Sequence, residues 1–177
     1  MCLEDVSYGS LSIEESFKEE YWVELEKAHV EIVDGDRGKN YPKKNDFSES
    51  GYCLFLNTGN VTSSGFDFSS CSFINAEKEA SLRKGRAKVE DVVLTTRGTI
   101  GNTAYISGTV PYPVIRINSG MVLLRANRDF LAPEFLCFFF RSRMFSKQIE
   151  ALQSGSAQPQ LPIRDLKKVK LPIPSVE

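Results

Sequence analysis

Short apolar runs alternate with polar turns through most of this chain. From residue 30 onward, β-branched and aromatic residues recur in short stretches that Gly, Asn, Asp and Pro separate, a pattern typical of strands joined by loops. The predicted strands are Val30–Val33, Tyr52–Leu56, part of Phe66–Ile74, Val92–Thr96, Thr103–Ile106, Val114–Ile117 and Met121–Leu124. The pattern therefore predicts a strand-rich body.

Helical signals are fewer. Asn75 precedes a helix-forming segment and is expected to cap a helix that ends near Leu82. Pro133 has a position typical of the first turn of a helix, and the spacing of the apolar residues after it predicts a core helix near residues 133–153. The expected apolar stripe comprises Phe135, Phe138, Phe145, Ile149 and Leu152. A short amphipathic segment follows at Ile163–Leu166, so the expected fold class is α+β.

The beginning of the chain differs from the rest. Ser12 and Glu15 have the spacing of a capping box, which predicts a short helix over residues 13–21. We interpret residues 1–21 as an acidic N-terminal extension and residues 22–177 as one domain. The clustered carboxylates of the extension are expected to form a solvated face rather than a metal site. They belong to Glu14, Glu15, Glu19 and Glu20.

The charge is distributed unevenly along the chain. The net charge of −1 averages over residues 1–34, with ten acidic and two basic side chains, and residues 35–177, with thirteen acidic and twenty basic ones. The larger segment therefore carries a net charge of +7. A basic body of this kind favours a polyanionic partner, although an ordinary solvated surface gives the same count.

Several functional classes lack the residues they need. No apolar run approaches the roughly 20 residues of a membrane span and the first residues do not form a secretory signal, so we expect no membrane partner and a cytoplasmic location. Four scattered cysteines and a single histidine, His29, indicate neither a disulfide framework nor a zinc cluster. No cofactor and no metal site are expected.

Motifs for catalysis are also missing. The glycine-rich turn and the Asn/Asp-Pro-Pro-aromatic loop of a DNA methyltransferase are not in the sequence, and the glycines after Arg97 lack the lysine of a P-loop. Any nucleophilic triad would depend on His29, for which a partly buried structural role is expected. No catalytic residue is therefore assigned.

Three predicted loops concentrate groups that can bind DNA. Cationic and amide side chains in loops can contact phosphates. Arg, Asn and Gln can also form paired hydrogen bonds with base edges. We call residues 34–44 the first loop, residues 57–60 the second loop and residues 97–102 the third loop. Their candidate residues, with two glutamines near the end of the chain, are Arg37, Lys39, Asn40, Tyr41, Lys43, Lys44, Asn57, Asn60, Arg97, Thr99, Asn102, Gln158 and Gln160. Taken singly, each loop is also explained by ordinary turn chemistry.

The order and the amino-acid sequences of four segments resemble those of a known family. They are Ile32-Val-Asp-Gly-Asp-Arg-Gly-Lys-Asn-Tyr-Pro42, Tyr52-Cys-Leu-Phe-Leu-Asn57, Asp91-Val-Val-Leu-Thr-Thr-Arg-Gly-Thr-Ile-Gly-Asn102, and Gly155-Ser-Ala-Gln-Pro-Gln-Leu161 leading to Leu171-Pro-Ile-Pro174. Together they resemble the target recognition domain of a type I restriction-modification specificity subunit, over roughly Trp22 to Pro174.

The resemblance implies recognition without catalysis. In that family, two recognition domains joined by long helices each read half of a split duplex DNA site, and separate subunits methylate adenine or cut the DNA. It implies modification (methyltransferase) subunits as partners, together with a second recognition domain or a second copy of this chain. The chain holds one recognition domain and stops where the family's spacer helix would begin, so we expect a half-length subunit, an excised domain or a truncated product.

Two other hypotheses remain open from the sequence. In one, the chain is a protein-interaction module whose basic surface is incidental, which predicts no salt-sensitive affinity for DNA. In the other, it is a small enzyme built around His29 or a thiol, and a His29→Ala substitution would abolish its activity.

Overall fold

The computed structural model describes residues 21–153 and 160–173. Within these ranges the strands are β1 (Trp22–Glu24), β2 (Val30–Asp34), β3 (Cys53–Leu56), β4 (Val61–Thr62), β5 (Gly65–Phe66), β6 (Phe73–Ile74), β7 (Val92–Thr95), β8 (Thr103–Tyr105), β9 (Ile115–Ile117), β10 (Met121–Ala126) and β11 (Lys170–Pro172). The helices are α1 (Ala76–Ser81), α2 (Pro133–Phe140), α3 (Arg143–Gln153) and α4 (Ile163–Leu166). The helix predicted over residues 13–21 lies outside the described residues, apart from Tyr21.

The strands form two main sheets and two small ones. The larger sheet has the order β2-β10-β7-β8 and is antiparallel throughout, and the second has the order β6-β3-β9 with β3 parallel to β9. Strand β1 pairs with β11, and β4 pairs with β5. Every predicted run contains a strand, which confirms the α+β fold. Strands β1, β4 and β11 were not predicted because they are too short for alternation to show.

Both faces of the larger sheet are buried. Along β7, Val92 and Leu94 pack toward the helices, whereas Val93 packs against the second sheet. Successive side chains of a strand point to opposite faces, so this sheet lies between α2 and α3 on one side and β3 and β9 on the other. The far face of the second sheet packs near α1 through Cys53, Phe55 and Leu82. The fold is therefore layered as helices, sheet, sheet and helix.

The predicted helix near residues 133–153 is present as two helices. Helix α2 ends at Phe140 and α3 begins at Arg143. Between them, the Ser142 hydroxyl accepts the N–H of Phe145 (3.4 Å), as an N-cap residue does. The interruption changes which residues face the core. Phe145 and Ile149 are buried as expected, but Phe138 is 72% exposed and Leu152 is 45% exposed, so the single continuous stripe was wrong.

The register of the larger sheet places three loop connections at one end. Asp34 at the end of β2 lies opposite Val122, Thr95 at the end of β7 lies opposite Met121, and Thr103 at the start of β8 lies opposite Leu94. The first loop, the third loop and the turn before β10 therefore leave the sheet together. We call this side of the molecule the loop end. Ala126, at the other end of β10, lies opposite Val30.

A buried ion pair fixes α1 to the second sheet. Arg116 on β9 is 5% exposed, and its Nε lies 2.9 Å from Oε1 of Glu79, which is 4% exposed. The same guanidinium donates to the carbonyls of Glu79, Leu82 and Lys84. Every polar atom of the guanidinium therefore has a partner, the condition under which a buried charge is tolerated. The contacts also fix the segment that follows α1.

Removal of one charge from this pair should destabilise the fold strongly. We expect Glu79→Gln to lower the free energy of unfolding by about 3–5 kcal/mol, since it leaves the Arg116 charge buried without a counter-ion. Urea unfolding at pH 7 measures the change. The exposed Glu77 of the same helix provides the control, and Glu77→Gln should cost less than about 1 kcal/mol. Equal effects of the two substitutions would contradict this role for the pair.

Candidate nucleic-acid interface

The turn between β9 and β10 contacts all three predicted loops. A Cβ atom on Gly35 would lie 2.2 Å from the carbonyl oxygen of Asn118, and one on Gly120 would lie 2.9 Å from Cγ2 of Thr58. The N–H of Arg97 donates to the carbonyl of Gly120 (3.2 Å). Backbone of the first loop and side chain of the second loop thus approach residues 118–120 from two sides. The structure brings the three loops together at the loop end, around the Asn118–Gly120 turn.

The third loop is held closed by the side chain that precedes it. Thr95 is fully buried, and its hydroxyl donates to the carbonyl of Thr99 and accepts the N–H of Asn102. Gly98 and Gly101 have φ values of +71° and +93°, in the left-handed region that favours glycine. Because these bonds use backbone atoms of the loop, the Arg97 and Thr99 side chains remain exposed.

Arg37, Arg97 and Gln160 line one cleft at the loop end. Its volume is about 250 Å³, and Thr96 and Leu161 form part of its wall. Arg97 and Gln160 form an antiparallel bridge, and the N–H of Leu161 donates to the carbonyl of Thr96 (2.9 Å). The Arg97 side chain forms no hydrogen bond or ion pair with another described residue. The cleft therefore presents a guanidinium and an amide that can bind an external group.

The first loop is organised by a buried carboxylate. Asp36 is 5% exposed, and its oxygens accept the N–H groups of Gly38 (2.6 Å), Arg83 (2.7 Å) and Lys84 (3.3 Å). Burial alone would raise the pKa of Asp36, but the three N–H donors and the nearby charge of Arg83 together lower it. The carboxylate thus ties the first loop to the segment after α1. Lys39 and Asn40 are exposed beside it, and Asn40 donates to the carbonyl of Ser81.

Other candidate amides have structural contacts. Asn60 is 3% exposed, and its amide donates to the carbonyls of Asp67 and Ser70 while its oxygen accepts the N–H of Asn57. The half-buried Asn102 donates to the carbonyl of Val61 (2.9 Å) and so links the third loop to β4. Asn57 is exposed and caps the turn that follows it. Of these three residues, only Asn57 has its side chain at the surface.

Three candidates of the first loop lie apart from the cleft. Tyr41 is half-buried and packs edge-on against Phe55, with 5.8 Å between ring centroids. Lys43 and Lys44 are exposed, and the turn that they begin is closed by Asp46, whose carboxylate accepts the N–H of Lys43. Asp46 in turn pairs with Lys78 of α1, so this part of the first loop lies beside α1. Gln158 lies outside the described residues.

Sequence reasoning missed two residues that share this surface. Arg83 and Lys84 line a cleft of about 300 Å³ together with Arg37 and Asp34. Asp34 pairs with Arg37 at 3.1 Å. The signal in the sequence was the run from Arg83 to Lys88, which holds four cations in six residues.

Among the described residues, those proposed for a small enzyme include His29, Cys53 and Cys137, which lie in different parts of the fold. His29 is exposed, contrary to the partly buried role expected, and its ring stacks on Phe130 with 4.0 Å between centroids. It precedes β2, at the end of the sheet away from the loop end. Burial raises the pKa of Cys53 to about 12 and also raises the pKa of Cys137, so neither is an activated thiol. The described residues contain no group of three or more His, Cys, Asp or Glu that could hold a metal ion.

Comparison with known families identifies the chain. Residues 28–177 match the family of type I restriction modification DNA specificity domains, and the chain belongs to that family. This confirms the family resemblance drawn from the four sequence segments. A search of curated proteins gave no match. In the described part of the chain, no helix has the length and apolar character needed to cross a membrane.

Solved structures share the fold at low sequence identity. A chain from a study of complex assembly and conformational transition in a type I R-M system is 19% identical with a TM-score of 0.60, and the match covers 86% of this chain and 33% of that one. The HsdS subunit from Thermoanaerobacter tengcongensis is 20% identical (TM-score 0.58), with 86% and 32% covered. The type I S subunit from M. genitalium is 14% identical (TM-score 0.55), with 91% and 36% covered. This chain therefore spans about a third of the length of these structures.

The Asp36 carboxylate should stabilise the fold in a pH-dependent way. We expect Asp36→Asn to lower the free energy of unfolding at pH 7 by about 1.5–3 kcal/mol, because it weakens hydrogen bonds to a charged acceptor. Since folding lowers the pKa of Asp36 below its usual 3.8, the stabilisation is present above pH 3.8 and is lost as the pH falls through the folded-state pKa. The difference between wild type and variant should therefore shrink below pH 4.

Unfolding curves at several pH values measure this difference. The exposed Asp129, whose carboxylate accepts no hydrogen bond from a described residue, supplies the control, and Asp129→Asn should change stability by less than about 0.5 kcal/mol. A gap between wild type and Asp36→Asn that stays constant down to pH 2 would show that the charge of Asp36 has no such role.

Proposed function

We propose that this chain reads the sequence of duplex DNA at its loop end, as a specificity subunit or half-subunit of a type I restriction-modification complex. The observation that carries the proposal is the convergence of three polar loops on the Asn118–Gly120 turn, in a chain that belongs to the DNA specificity domain family. Methylation and cleavage would be performed by other subunits, and the chain itself would contribute no catalytic group.

The chemistry of the exposed side chains supports this assignment. Arg97 and Gln160 line the same cleft, and Arg and Gln are side chains that form paired hydrogen bonds with guanine and adenine edges. Arg37, Lys39, Lys43 and Lys44 would neutralise phosphates, with Asn40, Asn57 and Thr99 as further polar contacts. A frame of buried strands holds the loops that carry these groups, so binding need not order the loop backbone. Asn60 and Asn102 would act through the loop geometry that they maintain.

The proposed partners follow from the family. We expect modification subunits to bind this chain, and a second recognition domain or a second copy of this chain to supply the other half of the DNA site. Because the proposed function assigns the loop end to DNA, these contacts would use other surfaces of the chain.

Arg97 should contribute to sequence discrimination. A preferred duplex is first selected with the wild-type chain from a pool of randomised duplexes, and affinities for this duplex and a scrambled one are then measured by fluorescence anisotropy. A good base contact is worth about 1–3 kcal/mol, so Arg97→Ala should reduce the ratio of the two affinities by about 5- to 150-fold.

Arg128 provides a matched loss of charge at the other end of the sheet. It lies two residues after the end of β10 and pairs with Glu90 and Glu134, and Arg128→Ala should leave the ratio unchanged. A wild-type chain with no salt-sensitive affinity for any duplex would refute the proposal and favour the protein-interaction module. An activity abolished by His29→Ala would favour the enzyme hypothesis instead.

A further inference from the structure

The segment after α1 carries cations that the described fold leaves unneutralised. Arg83 and Lys84 are exposed, and neither side chain forms an ion pair or a hydrogen bond with another described residue. Their backbone, in contrast, is fixed from two sides. The Asp36 carboxylate accepts both of their N–H groups, and the Arg116 guanidinium donates to the carbonyls of Leu82 and Lys84. Two buried charges thus hold a short turn whose own charges face solvent.

The position of this turn relates it to the loop end. The N–H of Ile117 donates to the carbonyl of Gly85 (2.9 Å), and Gly85 approaches Gly35 so closely that a Cβ atom on it would lie 3.1 Å from the Cα of Gly35. Ile117 directly precedes the Asn118–Gly120 turn. Farther along the same segment, the N–H of Ala87 donates to the carbonyl of Ile115, so Lys88 lies away from the loop end.

Nearby acids do not cancel the charge of this turn. The cleft shared by Arg37, Arg83 and Lys84 also contains Asp34 and Asp36. Asp34 pairs with Arg37, whereas Asp36 binds three backbone N–H groups and attracts the charge of Arg83 without forming an ion pair with it. Arg83 and Lys84 therefore retain charge at the surface, with Lys39 beside them on the other side of Asp36.

We infer that Arg83 and Lys84 bind phosphates of the DNA backbone next to the base-reading cleft and set the position of the duplex on the loop end. The inference rests on the proposed function. A turn whose backbone is fixed but whose cations are unpaired suits phosphate binding, because its backbone is already ordered and no internal ion pair is lost on binding. Such contacts carry no sequence information and act alike on every duplex.

The double substitution Arg83→Gln with Lys84→Gln tests the inference. Gln retains the backbone N–H groups that bind Asp36 and removes only the screened attraction between Arg83 and Asp36, so the free energy of unfolding in urea should change by less than about 1 kcal/mol and the loops should keep their geometry. Each lost phosphate contact reduces the slope of log affinity against log salt concentration by about 0.9. When salt is raised from 50 to 200 mM, the wild type should therefore lose about 12 times more affinity than the double variant, which lacks two contacts. The difference should be the same on the preferred and the scrambled duplex.

Lys88→Gln is the matched control. It removes one charge from the same basic run at a position away from the loop end, and it should leave the salt slope unchanged. A scan with single neutral methylphosphonates along each strand identifies the phosphates involved. The wild type should lose affinity at one or two of them, and the double variant should be insensitive at the same positions.

Each outcome decides between the inference and its alternatives. An unchanged salt slope, an equal effect of Lys88→Gln, or a changed preference between the two duplexes would overturn the inference. If the wild type binds DNA and Arg97→Ala reduces discrimination while the double variant behaves as wild type, only the role of Arg83 and Lys84 fails. If the wild type shows no salt-sensitive binding, the proposed function itself fails.

Discussion

The buried guanidinium of Arg116 is the contact on which the arrangement of the loop end depends. It binds Glu79 and three backbone carbonyls, so it holds α1 and the following turn against β9. That turn in turn donates two N–H groups to Asp36 of the first loop. Two buried charges of opposite sign therefore act in series, because the Arg116 guanidinium binds carbonyls of the segment after α1 and the Asp36 carboxylate binds N–H groups of the same segment. The hydrophobic layers supply most of the burial, but these two charges determine where the loops lie.

The register of the sheets explains why distant segments meet. Asp34, Thr95 and Met121 end or begin neighbouring strands at the same edge, and Leu56 lies beside Ile117 in a parallel pair. The centres of the three loops are about 20 to 60 residues apart along the chain. Strand pairing brings the loops to one surface. A frame whose strands are buried on both faces resists displacement of any one loop. The recognition proposed here needs that rigidity, because base edges are discriminated by the placement of donors.

Much of the frame was predictable from the sequence. The apolar runs gave the main strands, Asn75 caps α1 as predicted, and four ordered segments indicated the family. The sequence did not predict the break between α2 and α3, because helical periodicity continues through Ser142. The break is visible only in the structure, where the Ser142 hydroxyl accepts the N–H of Phe145 and caps α3. The burial of Asn60 was also out of reach, since its partners Asp67 and Ser70 are found only in three dimensions. Arg83 and Lys84 were visible as a basic run, but their proximity to the first loop depends on Asp36.

The bonds that close the third loop and tie the first loop to the segment after α1 use main-chain atoms of those segments. Thr95 holds the third loop by the carbonyl of Thr99 and the N–H of Asn102, and Asp36 holds two turns by their N–H groups. The outward side chains of Lys39, Arg97 and Thr99 contribute nothing to those bonds. These three surface positions can therefore be exchanged at little cost in stability, and under the proposed function such exchanges would alter the DNA site that is read while the buried scaffold stays the same.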